Sequence, residues 1–178
     1  MQRRSIAIAG AGPAGLAAAL LLHRDGHRVT VFERFVTPQP VGSGLMIQPT
    51  GLAVLGALGL ADTVLARGRR IDRMFGRVLP SGRTVLDLHY NALAPDAFGL
   101  AVHRAALFEP LFDAVQRSGI AIETDRTVIA TAGVGGGDRR LVFKDWIDAG
   151  PFDLIVDALG MRSPLGPAVS DLAYGSVV

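Results

Sequence analysis

The sequence predicts an α/β fold in which helices cover both faces of a parallel sheet. Three observations lead to this prediction. The apolar stretch Ile6 to Ala9 runs into a glycine-rich turn, GAGPAG, at residues 10–15, and then into a helix. A second, β-branched strand from His27 to Phe32 follows, as a β-α-β unit requires. The continuous apolar stretch Phe152 to Ala158 suits a parallel strand that is covered on both faces.

The GAGPAG turn has the spacing of a dinucleotide-binding loop. Gly10 permits the tight turn out of the strand, Gly12 lets backbone approach a pyrophosphate, and Gly15 lets the helix pack closely. Ala14 lies in the first helical turn, where free N–H groups and the helix dipole favour an anion. Glu33 follows the second strand, where its carboxylate can accept hydrogen bonds from a ribose and disfavours a 2′-phosphate. These residues predict tight binding of FAD or NAD rather than NADP.

The remaining elements are predicted from helix-capping residues, from glycines at turns and from the spacing of hydrophobic residues. Gly26 is expected to end the first helix, and Thr50 to cap a later helix that ends at Gly59. A glycine-rich turn is expected at 133–138, and a strand start at Tyr174. The other expected elements are a short helix at 62–66, a hairpin of strands 77–79 and 84–88, a helix at 104–117, and strands at 120–123, 127–130 and 141–143.

Composition excludes several function classes. The 18 basic and 16 acidic side chains nearly cancel, and the arginines lack the interleaved aromatic residues of a nucleic-acid groove. The absence of cysteine excludes disulfides, thiolate metal sites and cysteine nucleophiles. The four histidines show no ligand spacing, and no triad or paired carboxylates are found. We therefore expect no nucleic-acid partner, no metal and no catalytic side chain.

The start of the chain has the appearance of a targeting leader. Arg3 and Arg4 precede an apolar stretch, but the glycine-proline turn interrupts it and the chain continues into a helix and a strand. No stretch reaches the roughly 18 apolar residues that a membrane span needs. A cytoplasmic protein that does not contact a membrane is expected.

Three motifs extend the pattern beyond the glycine turn. Glu33 and Arg34 form an acid–arginine pair, the turn GSGL at 42–45 precedes a proline and a helix ending in LGL, and His103 and Arg104 open a helix. In order and separation, these motifs resemble the FAD-binding region of the single-component flavoprotein aromatic hydroxylases, a group that includes p-hydroxybenzoate and salicylate hydroxylases. The resemblance covers almost all of the chain and implies a Rossmann-like FAD-binding domain with a small β-meander.

The resemblance also implies residue roles and a reaction. Arg34 would lie along the adenine, Gly44 would meet the flavin ring, and Arg104 would reach the ribityl and pyrophosphate region. Val128, on the strand that passes the adenine, and Gly160 would complete the cofactor contacts. In this family NAD(P)H is a transient reductant of the flavin, and a small aromatic substrate is hydroxylated with oxygen. Because the flavin carries that chemistry, no catalytic residue is assigned to this chain.

Two departures from the family are visible. Leu159 stands where the family has an aspartate before Gly160, and leucine accepts no hydrogen bond. Asp157, two residues upstream on the same strand face, could partly substitute for it. The family fold also continues well past this chain, so we expect residues 1–178 to be a single incomplete FAD-binding domain. The segment 71–100 would be the inserted start of a substrate-binding sheet.

An incomplete copy of that fold would leave a sheet edge open, so a homo-oligomer or a complementary chain is expected to cover it. Two alternative functions remain at this point. One is a non-catalytic nucleotide-binding or interaction remnant, or half of a split enzyme, which Leu159 favours. The other is an NAD-dependent dehydrogenase domain, which the glycine turn fits equally but which does not require the helix that begins at Arg104.

Overall fold

A computed structural model describes residues 2–166, so the strand start predicted at Tyr174 lies outside the described residues. These residues form two compact units. Unit 1 contains the described residues up to Pro40 and from Leu111 onwards, and unit 2 contains residues 41–110. The elements are β1 Ser5–Ala9, α1 Pro13–Arg24, β2 Arg28–Phe32, β3 Gly44–Ile47, α2 Pro49–Ala57, α3 Ala61–Leu65, β4 Gly68–Ile71, β5 Arg73–Arg77, β6 Thr84–His89, β7 Gly99–His103, α4 Arg104–Arg117, β8 Ala121–Glu123, β9 Val128–Gly135, β10 Asp138–Phe143, β11 Asp148–Phe152 and β12 Leu154–Asp157.

Unit 1 is built on a parallel sheet with the strand order β12-β1-β2-β8. In the central strand β1, Ile8 pairs with Val31 of β2 on one side and with Val156 of β12 on the other. Every residue from Ile6 to Ala9 is almost completely buried, because the strand is covered on both faces. Helix α1 connects β1 to β2. The predicted α/β fold with a parallel sheet is confirmed.

A three-stranded antiparallel meander, in the order β11-β10-β9, completes unit 1. Its core is aromatic: the ring of Phe32 lies 5.3 Å from that of Phe143 and 5.8 Å from that of Phe152. Ala7, Ala9 and Val128 belong to the same buried cluster, to which the parallel sheet and the meander both contribute. The rings of Phe32, Phe143 and Phe152 are the largest side chains of this cluster and bury the most apolar surface in it.

Unit 2 contains an antiparallel sheet in the order β3-β7-β4 and a separate hairpin of β5 and β6. A hairpin was predicted here, but its first strand was placed at 77–79, whereas β5 is Arg73–Arg77 and residues 78 and 79 belong to the turn. The strands β3, β4 and β7 were not predicted. Across the hairpin, Arg73 donates hydrogen bonds of 2.7 and 2.8 Å to the two carboxylate oxygens of Asp87. These bonds lower the pKa of the Asp87 carboxyl below its ordinary value.

The stretch predicted as one strand from Phe152 to Ala158 is two strands. Phe152 ends β11 with its ring in the aromatic cluster, whereas Leu154 begins β12 in the parallel sheet. Asp153 makes the change of sheet, because its carboxylate accepts from the Ser5 amide at 2.6 Å while its own amide donates to the Ser5 carbonyl at 2.9 Å. A second difference concerns α2, which begins at Pro49 with Gln48 rather than Thr50 as its N-cap.

Across residues 2–166, none of the helices combines the length and the apolar character needed to span a membrane.

The turn between β10 and β11 holds a large residue in a strained conformation. Trp146 has φ +62°, in the left-handed region that favours glycine, and its side chain is 81% exposed. Its amide donates to the Phe143 carbonyl at 2.9 Å, and the Asp145 carboxylate accepts from the Ile147 amide at 3.2 Å. The hydrogen bonds of the turn therefore hold the tryptophan at this φ. Burial of its ring contributes little to the stability of the chain.

Replacing Trp146 with glycine should raise the free energy of unfolding by about 1 kcal/mol, because the left-handed conformation is unstrained for glycine and little buried surface is lost. Urea denaturation followed by circular dichroism measures this, since the sequence has one tryptophan and its fluorescence is lost in the variant. Trp146→Ala is the control, because alanine retains the Cβ and should give no such gain. Equal stability of the two variants would contradict the assignment of strain.

Candidate functional site

The glycine turn of unit 1 is packed against the end of β12. Gly10 has φ +105°, and a Cβ there would lie 2.6 Å from the carbonyl oxygen of Ala158. A Cβ at Gly15 would overlap the carbonyl oxygen of Gly10 and lie 3.2 Å from the Ala158 Cβ. Both positions therefore require glycine, and they bring the start of α1 directly against the ends of β1 and β12.

Gly12, by contrast, faces open space. A Cβ at this position would meet nothing within 4 Å, and its φ of −70° is accessible to any residue. Gly12 is the N-cap of α1, no side chain caps this end, and the first turn holds no acidic residue. Ala14 is exposed in the same turn. The positive end of the helix thus borders a space with room for an anion.

Glu33 is buried, with 8% of its surface exposed, and its carboxylate holds the glycine turn. One oxygen, Oε2, accepts from the Ala11 amide at 2.9 Å, and the other, Oε1, accepts from the Phe35 amide at 3.0 Å. Arg34 is exposed and its guanidinium lies 4.7 Å from the centre of the Phe35 ring. Each carboxylate oxygen can accept a further hydrogen bond, so these contacts permit the ribose contact of Glu33, which stays a prediction.

The two remaining candidates of unit 1 occupy different environments. Val128 begins β9, pairs with Phe143 and is buried in the aromatic cluster. Its side chain contributes to the core, so a ligand contact there would be made by another part of the residue. Gly160 follows β12, is exposed and has φ +86°.

The loop after β12 is closed by its own side chains. Leu159, at the position of the family aspartate, packs against the buried cluster of unit 1. Asp157 Oδ1 accepts from the Leu159 amide at 3.0 Å, and Oδ2 accepts from the Ser163 hydroxyl at 2.6 Å. Both oxygens of the Asp157 carboxylate therefore accept hydrogen bonds within this loop. The sequence predicted that Asp157 could partly replace the family aspartate, and these bonds make that replacement less favourable.

In unit 2, Arg104 lies against the turn that precedes β3. Its amide donates to the Ser43 carbonyl at 3.0 Å, and a Cβ at Gly42 would lie 3.1 Å from its Nε. That Nε is buried and has no hydrogen-bond partner among residues 2–166. A buried donor without a partner is rare, so this Nε is a candidate contact for a ligand oxygen. Gly42 was not among the predicted site residues, and its φ of +102° could have been inferred only from the tightness of the turn.

Gly44, the other candidate in unit 2, borders an open groove of about 640 Å³. The groove lies at one end of the β3-β7-β4 sheet, where Gly44 pairs with His103. Arg67 and Arg69 also line it, and the guanidinium of Arg67 is paired with the Glu109 carboxylate at 3.0 Å. From the sequence, the arginine-rich stretch 67–73 was interpreted as solvated surface and not as part of a site.

The parallel sheet, the glycine turn and the buried acid define a dinucleotide-binding α/β protein. A family profile described as FAD binding domain matches residues 3–132, which is more than half of the chain. The chain belongs to this family.

Several similar proteins are monooxygenases or oxygenases by name. A 3-amino-4-hydroxybenzoate 2-monooxygenase of Streptomyces cremeus is 33% identical over 89% of this chain and 40% of its own length. A 6-hydroxynicotinate 3-monooxygenase of Pseudomonas fluorescens is 31% identical over 66% of this chain and 32% of its own. Among solved structures, a 2-methyl-3-hydroxypyridine-5-carboxylic acid oxygenase mutant superposes with a TM-score of 0.74 at 26% identity, covering 93% of this chain and 42% of its own. The chain thus spans less than half the length of each of these proteins.

Replacing Gly42 with alanine should lower the free energy of unfolding by about 1–2 kcal/mol, because its φ is strained for alanine and the new Cβ would displace the Arg104 guanidinium. Gly44→Ala is the matched control, since its Cβ would meet only the Val102 carbonyl oxygen at an ordinary 3.4 Å. This variant should stay within about 0.5 kcal/mol of the unmodified chain. Urea denaturation compares the two, and equal losses would contradict the role given to Gly42.

Proposed function

We propose that this chain is the FAD-binding portion of an NAD(P)H-dependent monooxygenase that hydroxylates a small aromatic molecule. The observation that carries the proposal is the glycine turn, in which Gly12 borders open space while Glu33 holds the neighbouring Ala11 amide. The family match favours FAD over the NAD of a dehydrogenase domain.

The residues of unit 1 fit the adenosine diphosphate part of FAD. The pyrophosphate would lie beside Gly12 at the start of α1. A Cβ added at Gly12 would meet no atom within 4 Å, so this space is free for the ligand. Glu33 would accept a hydrogen bond from the ribose, because its oxygens retain lone pairs beyond those used by the two amides. Arg34 and Val128 would border the adenine, and Gly160 would supply backbone beside the cofactor.

The residues of unit 2 assigned to the cofactor are Gly44 and Arg104. The buried Nε of Arg104 supports this assignment, because an oxygen of FAD would satisfy a donor that has no partner among the described residues. Gly42 leaves room for the guanidinium, and the Ser43 carbonyl fixes the start of α4 through the Arg104 amide. The chain would thus orient the cofactor through fixed donors rather than through mobile side chains.

FAD when bound supplies the redox chemistry, with NAD(P)H as the transient reductant and oxygen as the oxidant. The chain's own residues bind and orient the cofactor, and none of them is assigned a proton transfer. The similar proteins named above act on ring carboxylic acids or hydroxylated rings, so a small aromatic compound is the proposed substrate class. A cytoplasmic location is part of the same proposal.

The hairpin of β5 and β6 is proposed to begin a substrate-binding sheet within the segment 71–100. A sheet of two strands is marginally stable by itself, and every residue of β6 is exposed. Leu86 and Leu88 are each 39% exposed and Phe75 is 47% exposed, so apolar surface is available for further strands. A second copy or a complementary chain would supply that cover in solution, as proposed from the sequence.

One observation favours a nucleotide-binding module without turnover as a second candidate. The Leu159 side chain packs against the core, and the Asp157 carboxylate is used by the Leu159 amide and Ser163. The polar contact that the family makes at this position is therefore not reproduced by either side chain. Oxidation of NAD(P)H by the chain in the presence of FAD would exclude this candidate.

Gly12→Ala should weaken FAD binding by about tenfold or more, because its methyl group would occupy the space assigned to the pyrophosphate. The free energy of unfolding should change by less than about 1 kcal/mol, since the φ of Gly12 suits alanine and nothing lies within 4 Å. Quenching of flavin fluorescence gives the dissociation constant of each variant.

The control is Gly56→Ala in α2, where a Cβ also meets nothing within 4 Å. This variant should keep the FAD affinity and gain about 1 kcal/mol of stability from its better helix propensity. If Gly12→Ala binds FAD as tightly as Gly56→Ala does, the pyrophosphate does not lie at the glycine turn and the proposed site is wrong.

A further inference from the structure

Tyr90 is the largest fully buried side chain among residues 2–166. It follows β6 and opens a short 3₁₀ turn, Tyr90–Ala92, with 1% of its surface exposed. Its ring lies against the backbone of Gly99 in β7, where a Cβ would come within 2.8 Å of the hydroxyl oxygen. Gly99 thus leaves the space that the tyrosine occupies.

The buried hydroxyl has a defined acceptor. It donates to Oε1 of Gln48 at 2.9 Å, and the sulfur atoms of Met74 and Met46 lie 3.3 and 3.6 Å from the hydroxyl oxygen. A hydroxyl carries one proton, and a carboxamide oxygen is a stronger acceptor than a thioether. The hydrogen bond therefore goes to Gln48, and the two methionines fill the space around the oxygen.

These contacts join four elements of unit 2. Met46 belongs to β3, Gln48 is the N-cap of α2, Met74 belongs to β5 and Gly99 begins β7. Tyr90 thereby ties the hairpin to the three-stranded sheet and to the junction between β3 and α2. The same strand β3 begins at Gly44, four residues before Gln48.

We propose that Tyr90 is a positioning residue, whose hydroxyl fixes the segment 44–48 through Gln48. Its consequence for FAD rests on the proposed function, in which Gly44 contacts the cofactor. If the hydroxyl serves only the stability of the core, its removal lowers the unfolding temperature and leaves the segment and the cofactor affinity unchanged. If it positions β3, the segment loosens and FAD binding weakens even while the chain is fully folded.

Tyr90→Phe in the full chain separates these outcomes, because phenylalanine keeps the ring and removes only the hydroxyl. Hydrogen exchange of the peptide containing residues 44–48 should become about tenfold faster, while peptides of unit 1 keep their rates. The FAD dissociation constant should rise about threefold to tenfold, the range expected for one hydrogen bond. The visible circular dichroism of bound FAD should change as well.

Two further variants complete the experiment. Gln48→Leu removes the acceptor at a largely exposed position, and it should reproduce the effects of Tyr90→Phe without adding to them in the double variant. Ser118→Ala removes another 2.9 Å hydroxyl hydrogen bond, to the Ala114 carbonyl, and should leave the segment 44–48 and the FAD affinity unchanged.

Unchanged exchange of residues 44–48 in both Tyr90→Phe and Gln48→Leu would overturn the proposal. If the unmodified chain binds no FAD, the proposed function fails, and the exchange rates still decide the role of Tyr90. If Tyr90→Phe does not fold, Gln48→Leu decides it alone, because the tyrosine ring and its packing are then intact.

Discussion

Unit 1 depends on the close approach of the glycine turn to the end of β12. Gly10 packs against the carbonyl of Ala158, and Gly15 packs against the carbonyl of Gly10. Neither position has room for a side chain. This constraint fixes where α1 begins relative to β1 and β12. The Glu33 carboxylate holds the same turn through the Ala11 amide. The chain itself thus keeps the turn in one conformation, which reduces the ordering that a bound dinucleotide would require.

The candidate residues combine structural and binding roles to different degrees. Glu33 accepts from two amides of its own chain, so its replacement would disturb the turn and the proposed ribose contact together. Gly12 has no structural neighbour within 4 Å, which makes it the position that separates binding from folding. Arg104 is also partly held by the chain, since its amide donates to the Ser43 carbonyl and its guanidinium occupies the space left at Gly42. Within the described part of the chain, however, its buried Nε has no partner. An anionic ligand would satisfy that donor.

Local patterns predicted the parallel sheet, the glycine turn and α1, because these elements depend on spacing within a few residues. A hairpin was also predicted, but its first strand lies at Arg73–Arg77 rather than at 77–79. The break at Asp153 was not predictable in this way, since it arises from hydrogen bonds with Ser5, 148 residues away. The roles of Gly42 and Tyr90 also depend on partners distant in the sequence, Arg104 and Gln48. Leu159 was recognised as a departure from the family, but only the fold revealed its packing against the core.

The central claim is that the glycine turn and Glu33 form a site for the adenosine diphosphate part of FAD. Titration of the chain with FAD, followed by isothermal calorimetry and repeated with saturating ADP or FMN, tests this claim most directly. We expect saturable binding of one FAD per chain, and we expect ADP to compete with it, because ADP carries the groups assigned to unit 1. An absence of saturable FAD binding, or FAD binding that ADP does not affect, would contradict it.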